Sequence, residues 1–200
     1  MSAIDQSIAK RYESDPLFES AHGALVFAFN YAPDFYDRPL MNKMADPPHR
    51  SGKGLVGLDG AAQAGFILAE LRSLGTIPEA VLTARTAPKT MPCTCRRLCC
   101  SGKSTTPVYT DAIRTLTQAA LDPLSGCVSH YRLRSVIVQR FFGESKSLGE
   151  IAELCWVNRD TASDHSAKVT KYLKTIEASA WARFDGRLSE IGIVRCAENA

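Results

Sequence analysis

Apolar residues recur every three to four positions along most of this chain, and alternating β-branched runs bounded by turns are scarce, so the pattern predicts a mainly α fold. A short amphipathic stretch runs from Ile4 to Tyr12. An Ala- and Phe-rich helix follows from Glu19 to Tyr31, and the Ala32-Pro33 step should end it, because proline disfavours helical backbone in its predecessor. Pro33 to Gly57, with Pro39, Pro47, Pro48, Gly52 and Gly54 between, reads as a long irregular segment. Leu58 to Leu74 is a second helix whose apolar face would hold Leu58, Ala61, Ala62, Gly65, Phe66, Leu68, Ala69 and Leu71, with Gly75 as its stop. The small residues Gly60, Ala61, Ala64 and Gly65 would let a neighbouring helix approach closely. Helices are further predicted over Pro78 to Thr86, Pro107 to Leu121, Ser129 to Phe142, Ser147 to Cys155 and Asn158 to Trp181, with a last turn near Leu188. Strand signals are confined to short pieces around a group of cysteines.

The segment from Ser147 to Ile176 has the most specific pattern. Ser147 and Glu150 have the spacing of a capping box, so a helix starts at Leu148 and presents Leu148, Ile151, Ala152 and Cys155 on one face. Ala152 would sit where two helices cross and only a small side chain fits, and Val157 would plug the turn from inside. Asn158 is a good N-cap for a second helix, whose inward positions are Ala162, His165, Val169, Tyr172, Leu173 and Ile176. Two helices joined by three residues is helix-turn-helix geometry. The second helix begins with Asn158 and Arg159, suited to phosphate, and continues with Thr161, Ser163 and Asp164, suited to base edges. Lys168, Lys171 and Lys174 recur along it to neutralise backbone charge, and Arg132, Arg134 and Arg140 add positive charge on the preceding helix.

Composition changes this picture little. Over 200 residues, 45% are hydrophobic, enough for a buried core. Lys and Arg number 24 against 21 Asp and Glu, a net +3, so a polyanion partner must be met by local clustering rather than bulk charge. The N-terminal twenty residues mix charged and apolar positions, unlike a secretory signal, and the longest apolar run, Ala24 to Phe29, is far shorter than the ~20 residues of a membrane span. A cytoplasmic protein with no membrane role is expected.

Four of the seven cysteines, Cys93, Cys95, Cys99 and Cys100, lie within eight residues around Arg96 and Arg97. An odd total without an export signal argues against a disulfide framework and for metal ligation, and four thiolates suit one tetrahedral Zn2+. A three-cysteine set completed by Cys127, His130 or His165 is an alternative, as is a redox role; a knuckle would present Arg96, Arg97 and Lys103 on a rigid projection. The organisation expected is therefore a helical region at 1–90, a cysteine-rich zinc-knuckle insert at 91–104, and a helical DNA-binding region at 105–200 with the helix-turn-helix at 147–176. Nucleophile elbows and paired carboxylates are missing, and Gly52-Lys53-Gly54 and Ser101-Gly102-Lys103-Ser104 lack the full spacing of a phosphate loop, so no enzyme is expected.

The stretch SLGEIAELCWVNRDTASDHSAKVTKYL resembles the fourth conserved region of bacterial sigma factors over about thirty residues at helical spacing. That resemblance implies that Asn158, Arg159, Asp160, Thr161, Ser163, Asp164 and Lys168 face a DNA major groove or its flanking phosphates. Trp156 stands where those proteins have a turn glycine, which puts a left-handed turn in question and suggests outward packing against another helix or a protein partner, and His165 replaces an aliphatic residue. With the cysteine insert at Cys93, Cys95, Cys99 and Cys100, and the helices from Ser129 to Leu173, the second half of the chain resembles the late-gene antiterminators, or Q proteins, of lambdoid-type bacteriophages and prophages. The resemblance implies binding to double-stranded DNA beside a late promoter and action on bacterial RNA polymerase in the host cytoplasm. A promoter-binding regulator without antitermination, and a thiol- or metal-responsive DNA-binding sensor, are the alternatives.

Overall fold

The computed structural model describes residues 17–36, 58–93, 95, 101–127 and 129–195. The stretch expected at Ile4 to Tyr12, most of the proline-rich segment, and the predicted ligands Cys99 and Cys100 lie outside the described residues. Seven helices are described: α1 (Ala21–Tyr36), α2 (Leu58–Ser73), α3 (Thr76–Thr86), α4 (Pro107–Ala119), α5 (Tyr131–Phe141), α6 (Leu148–Cys155) and α7 (Arg159–Glu190). Between α3 and α4 lies a hairpin of β1 (Thr90–Pro92) and β2 (Lys103–Thr105), antiparallel with Met91 opposite Ser104. The protein is mainly α-helical, and no helix among the described residues is long and apolar enough to cross a membrane.

Several helix ends differ from the sequence pattern, each for a local reason. Helix α1 passes through Pro33 to Tyr36 instead of ending at Ala32. Pro33 stands in the last turn, so the missing N–H removes only one bond from a helix end. Helix α3 begins at Thr76 and carries Pro78 in its first turn, where backbone N–H groups have no intrahelical partner to lose. The largest difference is α7, which continues past Trp181 to Glu190 as one helix of 32 residues. Ala180, Phe184 and Leu188 repeat at helical spacing and are fully buried, so packing carries the helix across exposed Gly186.

Two apolar clusters result, and α7 runs through both. Its first half, through Ala162, Val169 and Leu173, packs with α3 to α6 residues including Val81, Leu116, Leu133, Ile137 and Ile151. The second half packs Ala180, Phe184 and Leu188 against Leu25 and Ala28 of α1 and Ile67 and Leu71 of α2. Polar contacts tie the same surfaces: Arg85 of α3 donates two bonds to the Glu177 carboxylate at 2.7 and 2.9 Å and stacks over Phe141, the last residue of α5, and Phe142 just after it. Arg183 of α7 donates to the Leu74 carbonyl at 3.1 Å, and Arg187 meets Glu70 at 3.2 Å.

Helix α2 is rotated relative to the face its sequence suggests. The buried side consists of Gly60, Ala64, Ile67 and Leu71, whereas Ala62, Gly65, Phe66 and Ala69 point to solvent. A Cβ at Gly60 would come within 2.6 Å of the Tyr31 ring of α1, so this position of α2 accommodates that ring by lacking a side chain, while Gly65 faces open space.

Candidate nucleic-acid interface

Local rules build α6 and α7 as the sequence suggests. The Ser147 hydroxyl accepts from the Glu150 N–H at 3.2 Å, and the Ser147 N–H donates to the Glu150 carboxylate at 2.6 Å, closing the capping box. That backbone bond holds the Glu150 carboxyl below the usual carboxylate range, with the Ser147 hydroxyl and Lys146 acting in the same direction. Helix α6 then buries Ile151, Ala152 and Cys155, and Leu148 is half-buried. The Val157 N–H returns to the Ala152 carbonyl at 3.0 Å and fixes the turn, while the half-buried Val157 side chain packs on the first apolar cluster. Asn158 caps α7 by accepting from the Asp160 N–H at 3.0 Å.

The turn residue corrects one expectation. Trp156 adopts the left-handed conformation, φ 55° and ψ 44°, that its size argues against, and it is the one non-glycine residue with positive φ among the described residues. Its side chain is 91% exposed and packs on no other helix. The closing bonds from the Trp156 and Val157 N–H groups to α6 carbonyls, with Val157 anchored in the core, force the backbone into this conformation.

Helix α5 is joined to the far end of α6 by one histidine. His130 Nδ1 accepts from the Leu133 N–H at 3.2 Å as the N-cap of α5, and Nε2 lies 3.1 Å from the Cys155 carbonyl, which fixes the tautomer with the proton on Nε2. Both ring nitrogens are therefore engaged within the α5–α6 contact. His165 is buried, and its Nδ1 has no hydrogen-bond partner among the described residues. Burial depresses its pKa, Lys168 and His130 push the same way, and Asp164 opposes them. Burial also pushes the Cys155 thiol up, against the pull of Arg132.

Most of the predicted DNA-contacting residues reach the surface. Arg132, Asn158, Arg159, Ser163, Asp164, Lys168 and Lys171 are exposed, and Thr161 is half-buried. Arg134 is a correction: it is 7% exposed, and its guanidinium donates to the Thr117 carbonyl at 3.2 Å and the Ser129 carbonyl at 2.8 Å. It ties α4 to the entry of α5 and has no face toward a ligand. Lys168 extends its ammonium to the Cys127 sulfur at 3.2 Å.

A shallow groove of about 640 Å³ opens between the C-terminal end of α5, the start of α6 and the first half of α7. Three cations, Arg140, Lys171 and Lys174, stand around it with the hydroxyls of Ser163, Ser166 and Thr170, over an apolar floor that includes Phe141 and Leu148. Sequence reading singled out the basic residues and Ser163 but not Ser166 or Thr170. The signal was present, since positions 163, 166, 170 and 174 follow one helical stripe.

The cysteine segment joins β1 to β2 in the sequence. The Cys93 N–H donates to the Gly102 carbonyl at 2.9 Å, so the two ends of the segment are clamped together; Cys93 is half-buried and Cys95 exposed. Among the described residues no group of three or more potential ligands surrounds a metal position.

Compared with known proteins, the chain matches no family model, no curated protein and no solved structure.

Proposed function

We propose that this protein binds double-stranded DNA in a sequence-specific way through α6 and α7 and acts in transcription. The observation that carries the reading is the pair itself: a capped helix, a left-handed three-residue turn fixed from inside by Val157, and a second capped helix whose first turns expose Arg159, Asp160, Ser163 and Asp164. An exposed helix N-terminus with a cation and short polar side chains suits phosphate and base edges together. Arg132, Arg140, Lys168, Lys171 and Lys174 supply the surrounding positive charge, and none of them forms an ion pair among the described residues.

Within that reading, the resemblance to lambdoid late-gene antiterminators supports a narrower role: the bound protein joins bacterial RNA polymerase near a late promoter and suppresses downstream termination. The clamped hairpin supports a Zn2+ knuckle in which Cys93 and Cys95 are joined by Cys99 and Cys100. Zinc there supplies folding energy to a loop too short for its own core.

Fluorescence anisotropy with a random-sequence duplex tests the first step. Affinity should fall steeply with salt, and replacing one phosphate-facing lysine, such as Lys171→Ala, should reduce the slope of log K against log salt by about 1. No binding even at ~50 mM salt sinks every DNA reading. Transcription across a terminator with purified polymerase then tests the narrower role: unchanged readthrough with DNA bound leaves a promoter regulator.

A further inference from the structure

The groove between α5, α6 and α7 is cationic at its rim and apolar at its floor, and its cations lack counter-charges. Arg140, Lys171 and Lys174 line it with three hydroxyl side chains, and among the described residues no carboxylate does. The carboxylates of the neighbouring segments are already taken. Glu144 accepts from Lys146 at 2.5 Å, Glu150 closes the capping box with Ser147, and Glu177, three residues after Lys174, is held by two Arg85 nitrogens. Beside the cations lie half-buried Phe141 and Leu148 and exposed Ala167, so apolar surface stays open to whatever the cations attract.

That combination selects the occupant. A DNA duplex brings phosphates and sugars to the rim but offers little apolar surface to Phe141 and Leu148. A small anion in so shallow a groove stays largely in solvent, whereas ligand sites enclose most of their ligand. An amphipathic helix meets rim and floor at once, with an apolar stripe on the floor and carboxylates along the edges. The length agrees: from Ser163 to Lys174 the lining runs about 16 Å along α7, which about three turns of a second helix cover.

We propose that this groove docks an acidic amphipathic helix of a protein partner, and that the docked helix excludes DNA. The exclusion rests on the DNA reading given above, because Ser163 and Lys171 belong both to the groove and to the surface assigned to the duplex. The partner is then an antagonist of DNA binding, with carboxylates standing in the places of phosphates.

Selection from a displayed random library of peptides about 12 residues long, against the full chain under reducing conditions and without DNA, tests the docking. Enriched peptides should carry apolar residues at helical spacing with Asp or Glu beside them. In fluorescence anisotropy, the tightest of them should lose about tenfold or more in affinity on Lys171→Glu and on Ala167→Asp. Arg114→Glu, an equal charge reversal outside the groove, should leave it unchanged. All three side chains are exposed, so helix content should stay constant and serve as the folding control. No enrichment, enriched peptides without acidic residues or helical spacing, or indifference to both groove variants overturns the docking. The same peptide should displace a bound duplex; one that docks at the groove and leaves duplex affinity unchanged overturns the exclusion. A chain that docks the peptide but binds no duplex overturns the DNA reading and the exclusion with it, and supports the docking.

Discussion

Replacing Trp156 with glycine should make the protein more stable. Two terms decide the sign. A side chain in the left-handed region costs about 1–2 kcal/mol relative to the right-handed helix, and glycine is free of that cost. Against this, glycine adds about 0.5–1 kcal/mol of backbone freedom to the unfolded chain. The third term, lost burial, is small because the indole is 91% exposed and packs on no other helix. The balance is a gain of about 0.5–1 kcal/mol, which raises the melting temperature of a domain this size by about 1–4 °C. Thermal and urea denaturation of wild type and Trp156→Gly, at equal concentration, measure it. Loss of more than ~1 kcal/mol would refute the reasoning, because an exposed and strained side chain has no such stabilisation to lose. If the gain is found, the tryptophan is retained against its own structural cost, and Trp156→Gly should then weaken whichever complex the turn enters.

Three further perturbations test separate parts of the frame. Ala152→Leu should destabilise by about 1–3 kcal/mol through overpacking at the α6–α7 contact, read as a lower urea midpoint with unchanged m. Arg134→Met should cost about 1–3 kcal/mol by leaving the Thr117 and Ser129 carbonyls without their donor, and should leave the DNA affinity of the folded fraction unchanged, which a surface contact would not. His165 binds its proton less readily folded than unfolded, so its stabilising contribution is complete above about pH 6.5 and is lost as pH falls through the lower folded-state value. Chemical denaturation between pH 7.5 and 5.5 should show that decline in wild type and a shallower one in His165→Leu; equal slopes would contradict the assignment.

The parts legible in sequence are those governed by local chemistry. Ser147, Glu150 and Asn158 set helix starts through bonds to neighbours three or fewer residues away, and those bonds are present. The inward stripe of α7 from Ala162 to Leu173 was legible because its period is that of one helix. What was not legible depends on distant partners. Arg134 reads as a surface cation until the Thr117 carbonyl, seventeen residues away, is seen to need a donor. The orientation of α2 depends on the partners that bury Ala64, Ile67 and Leu71 and on the Tyr31 ring lying on Gly60, and a helix with small or apolar residues all round gives periodicity little to choose between. The extension of α7 needs the second cluster, whose members come from α1 and α2. At Trp156 the local preference points one way and the closure of the turn the other, and closure wins.

Selection of bound duplexes from a random pool, carried out in parallel with wild type and Arg159→Ala, tests the central claim most directly. The account predicts that wild type enriches a defined motif, and that Arg159→Ala loses or alters it while helix content is unchanged. Enrichment of no motif by wild type, or of the same motif at the same strength by Arg159→Ala, would contradict the assignment of α7 as the reading helix.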